Sequence, residues 1–314
     1  PPPPPPHTTT PPPPSFFHDT APTEIYTSPL RRQRQMCIRD RGTTEKMEQI
    51  LREEGIDTSK IYISHCPERV LPGNIMKELV QNDRIVGGIN HKSTTETIKF
   101  YKNFVKGEIF ATDANTAEMA KLTENSFRDV NIAFANELSM LCDKLNINSL
   151  ELIRLANRHP RVNILNPGPG VGGHCIAVDP WFIIHKDPKN AKIIKTAREV
   201  NIYKTKWVIK KIKNVALEFE KTNGVKPIIG CFGLAFKPNI DDLRESPALY
   251  IAEQLKLDGY KILAVEPNIK NHSDFEVVSQ QEAIDRSDIF TMLVAHQGFE
   301  TLDLKTELDF CGIL

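Results

Sequence analysis

The sequence predicts an α/β protein: Rossmann-like parallel sheets joined by a helical central domain with a long helix. Three observations carry this. Residues 84 to 112 alternate strand, helix and strand. Residues 227 to 294 repeat that rhythm. Between them, apolar residues keep helical spacing without a break from about 116 to 145.

The chain has 314 residues, room for about two domains. Its 40 basic and 40 acidic residues cancel, so no overall field favours nucleic acid or an anionic membrane. The partners expected are small molecules or other subunits, and any phosphate site must be local. Six cysteines lie scattered without paired spacing and no apolar run is long enough to span a bilayer, which reads as a reduced cytoplasmic setting.

Residues 1 to 41 differ from the rest. Proline runs at 1–6 and 11–14 precede a basic stretch ending Cys37-Ile38-Arg39-Asp40-Arg41, read as a disordered or foreign leader. From Gly42 the order begins: a helix over Thr44–Glu54 stopped by Gly55, then a strand near 60–64. Glu68 would project from that strand's carboxyl end, where open α/β sheets place ligands, although a surface pair with Arg69 accounts for it equally. A strand over 84–89, a capping box Ser93-Thr94-Thr95-Glu96 opening a helix to about Lys106, and a strand over 108–112 follow.

Asn115-Thr116-Ala117-Glu118 marks the start of the long helix, whose apolar positions are Met119, Leu122, Val130, Phe134, Leu138, Leu141 and Leu145. Thirty residues make roughly 45 Å, more than one domain needs, so this helix is expected to join domains or build a subunit interface. Lys121 and Asn125 share one face, either as site residues or as solvated polar groups. A helix over about 150–158, a second long helix over 191–219 and an apolar Trp181-Phe182-Ile183-Ile184 stretch complete the middle of the chain.

The richest stretch is Asn163 to Pro180. Four glycines, Gly168, Gly170, Gly172 and Gly173, lie among prolines and lead to Cys175, with Asp179 four residues on. Glycines expose backbone N–H groups and admit close approach, which suits a phosphate-bearing ligand; a cysteine after them can attack a bound carbonyl. A structural turn ending in a buried cysteine fits the same residues. Arg161 is the strong anion-binding side chain nearby, and His174, Cys175, Asp179 and His185 match no standard zinc spacing.

The last unit opens with a strand over 227–232. The helix after its loop is bracketed by Ser246 as N-cap, Pro247 at the first position and Gly259 past the end. Strands over 260–265 and 288–294 flank a helix near 281–286, and Cys311 to Leu314 reads as a strand in progress. Gly230-Cys231-Phe232-Gly233 falls short of a dinucleotide fingerprint. Lys237 and Arg244 sit in the loop at a strand's carboxyl end, where phosphates bind in such folds and where solvated basic residues are also common.

Four motifs together resemble the nucleotide-sugar dehydrogenase family: Cys66-Pro67-Glu68-Arg69-Val70-Leu71-Pro72-Gly73; Glu118-Met119-Ala120-Lys121-Leu122-Thr123-Glu124-Asn125; Gly172-Gly173-His174-Cys175 through Asp179-Pro180-Trp181; and Phe236-Lys237 with Asp242 to Pro247. The resemblance runs from Gly42 to Leu314. It implies NAD-dependent four-electron oxidation of a UDP-sugar alcohol to a carboxylate, and the Glu-Arg-Val-Leu-Pro-Gly and His-Pro-Arg-Val-Asn-Ile forms resemble the branch acting on UDP-N-acetyl-D-mannosamine. It further implies Cys175 as nucleophile, Lys121 and Asn125 on the reacting oxygen, and Asp179 and Glu68 in proton transfer. Arg161, Asn166, the glycine loop and Lys237 fall to the substrate, and Arg244 to the cofactor pyrophosphate. No metal is implied, and a homodimer or higher homo-oligomer through the long helix is.

The same resemblance divides the chain into a leader (1–41), the end of an NAD-binding Rossmann domain (42–114), a central helical domain (115–220) and a UDP-binding Rossmann-like domain (221–314), both nucleotide domains incomplete. No Gly-x-Gly-x-x-Gly precedes Gly42. The chain as written is therefore expected to reduce no NAD with UDP-N-acetylmannosamine, and clear turnover overturns that. Three other readings remain: a dehydrogenase of another UDP-sugar (UDP-glucose, UDP-GlcNAc or UDP-GalNAc), a non-catalytic UDP-sugar-binding or dimerisation module, separable by titration with UDP against NAD, and a cysteine hydrolase using His174 or His185.

Overall fold

The computed structural model describes residues 42–70, 74–302, 304, 306 and 308–313. The leader expected over 1–41, and Leu71, Pro72 and Gly73 of the Cys66 motif, lie outside the described residues.

The first unit comprises α1 (Thr43–Glu53), β1 (Ser64–His65), α2 (Ile75–Gln81), β2 (Arg84–Gly88), α3 (His91–Tyr101) and β3 (Ile109–Asp113). Its sheet runs β1-β2-β3, with β1 antiparallel and β3 parallel to β2. The strand expected at 60–64 is displaced because Asp57 accepts from the Ser59 N–H and winds 58–60 into a 3-10 turn. Ladder pairing starts only at Ser64. The helix expected to open at Ser93 starts at His91, since Asn90 accepts from the Ser93 N–H at 2.9 Å and caps it first. It ends at Tyr101, short of Lys106.

The centre is built on two 32-residue helices, α4 (Ala114–Leu145) and α7 (Lys192–Asn223). Asp113, not Asn115, caps α4 by accepting from the Thr116 N–H and hydroxyl at 2.9 and 2.6 Å. Asn146, at φ 55°, and Gly224, at φ 72°, end the two helices in the left-handed region. Between them lie α5 (Ser149–Ala156), capped by the Asn148 side chain, and the short α6 (Asp179–Lys186).

The buried face of α4 is not the apolar one the sequence suggested. Met119, Phe134, Leu141 and Leu145 are 38, 53, 50 and 64% exposed, while Glu118, Asn125, Ser126, Asp129, Asn136 and Ser139 are buried. Facing them on α7 are buried Arg198, Asn201 and Lys204. The two helices meet through small and polar residues that pair with each other; of the expected apolar positions Leu122 is buried, Val130 and Leu138 are half-buried, and Met119, Phe134, Leu141 and Leu145 lie outside.

The second unit is β4 (Ile228–Phe232), α8 (Pro247–Leu257), β5 (Lys261–Val265), β6 (Glu276–Val277), α9 (Gln280–Arg286) and β7 (Ile289–Met292). Its four strands are all parallel, in the order β6-β5-β4-β7. Ser246 caps α8 and Pro247 is its first residue, as the sequence indicated. Ile229, Cys231, Ile251, Leu255 and Ile262 fill one side of this sheet together with Val208 and Ile212 of α7, so α7 is the wall that joins this unit to the centre. Residues 311–313 do not form the expected strand, since the Asp309 carboxylate accepts from the N–H groups of Cys311, Gly312 and Ile313, and Leu314 lies outside the described residues.

Candidate active site

Chain order places β5 on one side of β4 and β7 on the other, so the crevice of this sheet opens at the carboxyl end of β4. The loop 233–245 leaves from that point and meets the glycine loop there. A Cβ on Gly172 would come 2.3 Å from the Glu245 carbonyl oxygen, and one on Gly173 would come 2.8 Å from the Phe236 ring. A Cβ on Gly170 would come 2.3 Å from the Thr205 hydroxyl. Three of the four glycines are thus required by close packing of the loop on α7 and on the 233–245 segment. Gly168 alone of the four has open space beside it, its nearest neighbour being the Gly170 oxygen at 3.8 Å.

Cys175 is half-buried and reduced. Its carbonyl oxygen accepts from the N–H groups of Val178 and Asp179 at 3.1 and 2.8 Å, a turn that fixes the cysteine against the start of α6. Asp179 is the first residue of α6, where the helix dipole favours a carboxylate. Its buried Oδ2 accepts from Asn125 Nδ2 of α4 at 2.5 Å. Cysteine turn, carboxylate and α4 therefore meet at one place, with half-buried Lys121 one turn before Asn125 on the same helix face.

Around this centre the other residues named from the sequence are distributed as follows. Arg161, Asn166 and Lys237 are exposed. Arg244 is exposed too, but its Nε and Nη2 donate to the two oxygens of Asp242 at 2.8 and 2.7 Å. These hydrogen bonds hold the Asp242 carboxyl below the usual carboxylate range. His174 Nε2 stands 3.8 Å from Asp242 Oδ2, which ties the residue beside the cysteine to the 233–245 loop. Glu68 does not pair with Arg69: it faces Arg84 at 3.7 Å, while Arg69 reaches Glu124 of α4 at 2.9 Å.

The residues fit NAD only in part. The Gly-x-Gly-x-x-Gly spacing occurs among the described residues at Gly168, Gly170 and Gly173, but this loop follows no strand and so lacks the β-turn-α setting of a dinucleotide fingerprint. The glycines ending β2 are taken up by packing, a Cβ on Gly88 meeting the Thr94 nitrogen at 2.4 Å. After β4, the N–H groups of Leu234 and Ala235 donate to Glu266 Oε2 at 2.8 and 3.0 Å and face no phosphate. Burial pushes Glu266 up, but His296, donating at 3.0 Å, and those two amides more than offset it, so its carboxyl stays below the usual range. Arg244 is the cation whose exposure suits a pyrophosphate.

Sequence reading missed a chain of buried side chains behind the loop. Arg198 Nη1 donates to Asp129 Oδ1 at 2.6 Å, and Asn201 Nδ2 donates to the same oxygen at 2.8 Å. Asn136 Nδ2 donates to Asn201 Oδ1, and Asn136 Oδ1 accepts from the Gly168 N–H, both at 2.9 Å. Glu118, which reads as a solvated residue, is buried and accepts from the Gly42 and Thr44 N–H groups at 2.6 and 2.8 Å. The signal available was the helical recurrence of polar residues at 129, 136 and 139 opposite 198, 201 and 205.

Two α/β units on either side of a long-helix pair, with a cysteine loop docked at the switch point of one sheet, make up a nucleotide-binding α/β enzyme scaffold. Comparison with known families gives three matches: the UDP-glucose/GDP-mannose dehydrogenase NAD binding domain over residues 39–105, its central domain over 115–203 and its UDP binding domain over 230–310. The chain belongs to the UDP-glucose/GDP-mannose dehydrogenase family, an NAD-dependent oxidoreductase family. It is 54% identical over 287 residues to a UDP-N-acetyl-D-mannosamine dehydrogenase of Campylobacter jejuni, covering 86% of this chain and 69% of the relative. It is 51% identical over 276 residues to an NDP-N-acetyl-D-galactosaminuronic acid dehydrogenase of Ralstonia solanacearum, covering 83% and 64%. The structure of the Staphylococcus aureus UDP-N-acetyl-mannosamine dehydrogenase matches with a TM-score of 0.75 at 43% identity, over 85% of this chain and 62% of that one. The chain thus spans about two thirds of the length of these relatives. No helix among its described residues is long and apolar enough to cross a membrane.

Proposed function

We propose that the chain carries the substrate-oxidising centre of an NAD-dependent UDP-sugar 6-dehydrogenase, with UDP-N-acetyl-D-mannosamine as substrate. The observation that carries this is the convergence of the Cys175 turn, the Asp179 carboxylate and Asn125 at one point beside the glycine loop. The names of the Campylobacter and Staphylococcus relatives support the sugar. The spans of the three family matches support a division into NAD-side, central and UDP-side parts near residues 114 and 220.

Two NAD molecules, bound in turn, would each accept one of the two hydrides of the four-electron oxidation. The chain's own groups do the rest. Lys121 and Asn125 hold the C6 oxygen, and a lysine ammonium there stabilises the developing alkoxide. After the alcohol has become an aldehyde, the Cys175 thiolate adds to C6 and forms a thiohemiacetal, whose oxygen the same two residues receive. Loss of the second hydride leaves a thioester; water adds, the C–S bond breaks, and carboxylate and thiol are released. Asp179 handles the proton, its orientation fixed by Asn125. Glu68 is assigned to proton transfer through water; its contacts are with Arg84 and the Arg69 N–H, so this assignment rests on the motif resemblance. Arg161, Asn166, Gly168 to Gly173 and Lys237 receive the UDP-sugar, and Arg244 leaves Asp242 for the cofactor pyrophosphate.

We place the protein in the cytoplasm, a reducing setting in keeping with the thiol state of Cys66, Cys142, Cys175, Cys231 and Cys311. We also assign self-association to α4: exposed Phe127, Phe134 and Leu141 recur at seven-residue spacing and form an apolar stripe along it.

The test needs no turnover. Incubating the chain with a thiol-alkylating analogue of UDP-N-acetylmannosamine that carries a haloacetyl group at the C6 position, then digesting it, is expected to give one thioether adduct at Cys175, competed by UDP and absent in Cys175→Ser. Labelling spread over several cysteines, or insensitivity to UDP, refutes the assignment.

A further inference from the structure

The glycine loop is held from behind by a polar chain whose direction is set at its far end. Asp129 Oδ1 acts as an acceptor, already taking the Arg198 Nη1–H at 2.6 Å. Asn201 must therefore turn its NH2 group to Asp129, where Nδ2 lies 2.8 Å from Oδ1 and 3.1 Å from the main-chain oxygen. That leaves Asn201 Oδ1 for its other neighbour. Asn136 in turn must present its NH2 group to Asn201, which leaves Asn136 Oδ1 aimed at the Gly168 N–H. Each amide has one orientation that satisfies its neighbours, and the last acceptor in the series points at the loop. Ser139 adds a brace, its hydroxyl donating to the Asn136 carbonyl at 2.7 Å.

A second pin comes from the other helix. The Thr205 hydroxyl donates to the Pro169 carbonyl oxygen at 2.9 Å, and the same oxygen atom of Thr205 lies where a Cβ on Gly170 would be. The two pins act on consecutive residues, one on the N–H of Gly168 and one on the C=O of Pro169. They approach from the helix side, whereas Gly168 has open space next to its Cα. We propose that Asn136 of α4 and Thr205 of α7 are positioning residues that fix the Gly168–Gly170 segment so that its open side receives the UDP-bearing substrate. Neither is assigned a contact with the reacting atoms; both act through the loop. The proposal rests on the reading of that loop as the UDP-sugar site.

Thr205→Val keeps the shape of the side chain and removes the donor, while Thr205→Ser keeps the donor. Both are compared with the wild-type chain by hydrogen exchange over residues 163–173, by titration calorimetry with UDP and by thermal midpoint. Losing one hydrogen bond of this kind is expected to speed exchange and weaken UDP binding by about five- to tenfold in Thr205→Val, at a midpoint matching that of Thr205→Ser, with Thr205→Ser within about twofold of wild type. Unchanged loop exchange in Thr205→Val overturns the pin. Faster exchange with undiminished UDP affinity overturns the link to substrate. Absence of UDP binding by the wild-type chain overturns the functional reading, and the substrate part of this proposal with it, while the exchange comparison still decides whether Thr205 holds the loop.

Discussion

Arg198→Met is expected to cost about 3–5 kcal/mol of stability at neutral pH, the range found when one partner of a buried ion pair is removed. Arg198 and Asp129 are 4% and 0% exposed, so the surviving carboxylate has no solvent to turn to. Asn201 alone then donates to it, and a single neutral donor does not replace a guanidinium. Burial already pushes Asp129 up, with Arg198 and Asn201 pulling it back only in part. Without the arginine, the folded pKa of Asp129 rises further above its unfolded value. The folded mutant then binds more protons than the unfolded one between those two values, so its stability falls as pH rises through that window and is recovered on acidification. Urea denaturation of wild type and mutant at pH 7.5 and 5.5 is the measurement: the deficit should shrink at the lower pH. Asp129→Leu/Arg198→Met should recover much of the loss, since replacing both charges removes the desolvation cost. A loss under about 1 kcal/mol for the single mutant, unchanged by pH, would show that the pair is not what holds α4 to α7.

That pair also marks the limit of what the sequence made legible. The alternation of strands and helices was visible because apolar runs, a Ser246-Pro247 start and a Gly259 stop are local signals, and each acts within a few residues. The relation of Cys175 to Asp179 was visible for the same reason: four residues apart in a helical turn, the N–H of one reaches the carbonyl of the other. The inner face of α4 was not. Apolar periodicity picked out Leu122, which is buried, but also Phe134, Leu141 and Leu145, which lie outside, because the helix pairs with α7 mainly through residues whose partners are 60 to 70 positions away. A polar residue on its own reads as solvated; Asp129, Asn136 and Lys204 are buried because each has a partner on the other helix. The glycine loop was read as open to a ligand, yet close approach to Phe236, Glu245 and Thr205 is what Gly170, Gly172 and Gly173 permit. Such contacts belong to tertiary structure, and no local pattern encodes them.

Lys204 supplies the second large effect, with the opposite pH dependence. It is 2% exposed, its Nζ donates to Ser139 Oγ at 2.7 Å and stands 4.1 Å from the centre of the Trp207 ring. The acidic group nearby, Asp143, is paired with Lys211, which itself lies over the outer part of the same ring region at 5.4 Å. Burial therefore dominates and pushes Lys204 down to about 7. In the unfolded chain a lysine keeps its proton to about pH 10.4. Between these values the unfolded state holds more protons than the folded one, so stability must rise with pH, by up to about 1.4 kcal/mol per unit. Well below pH 7 both states are protonated and the penalty is complete. Lys204→Met, which conserves volume and removes the charge, is expected to be more stable than wild type by a few kcal/mol at pH 6.5, the advantage shrinking steadily towards pH 9. The difference between the two proteins is the quantity to measure, because Cys231 and Tyr101, both pushed up to about 12 by burial, act with the opposite sign above about pH 8.5 and cancel in the comparison. Ser139 keeps its bond to the Asn136 carbonyl in the mutant, so the loop's support survives. A difference that stays constant from pH 6.5 to 9 would mean that the ring face and the Ser139 hydroxyl hold the ammonium charged throughout, and that Lys204 is a bound cation of the helix pair in the way Arg198 is.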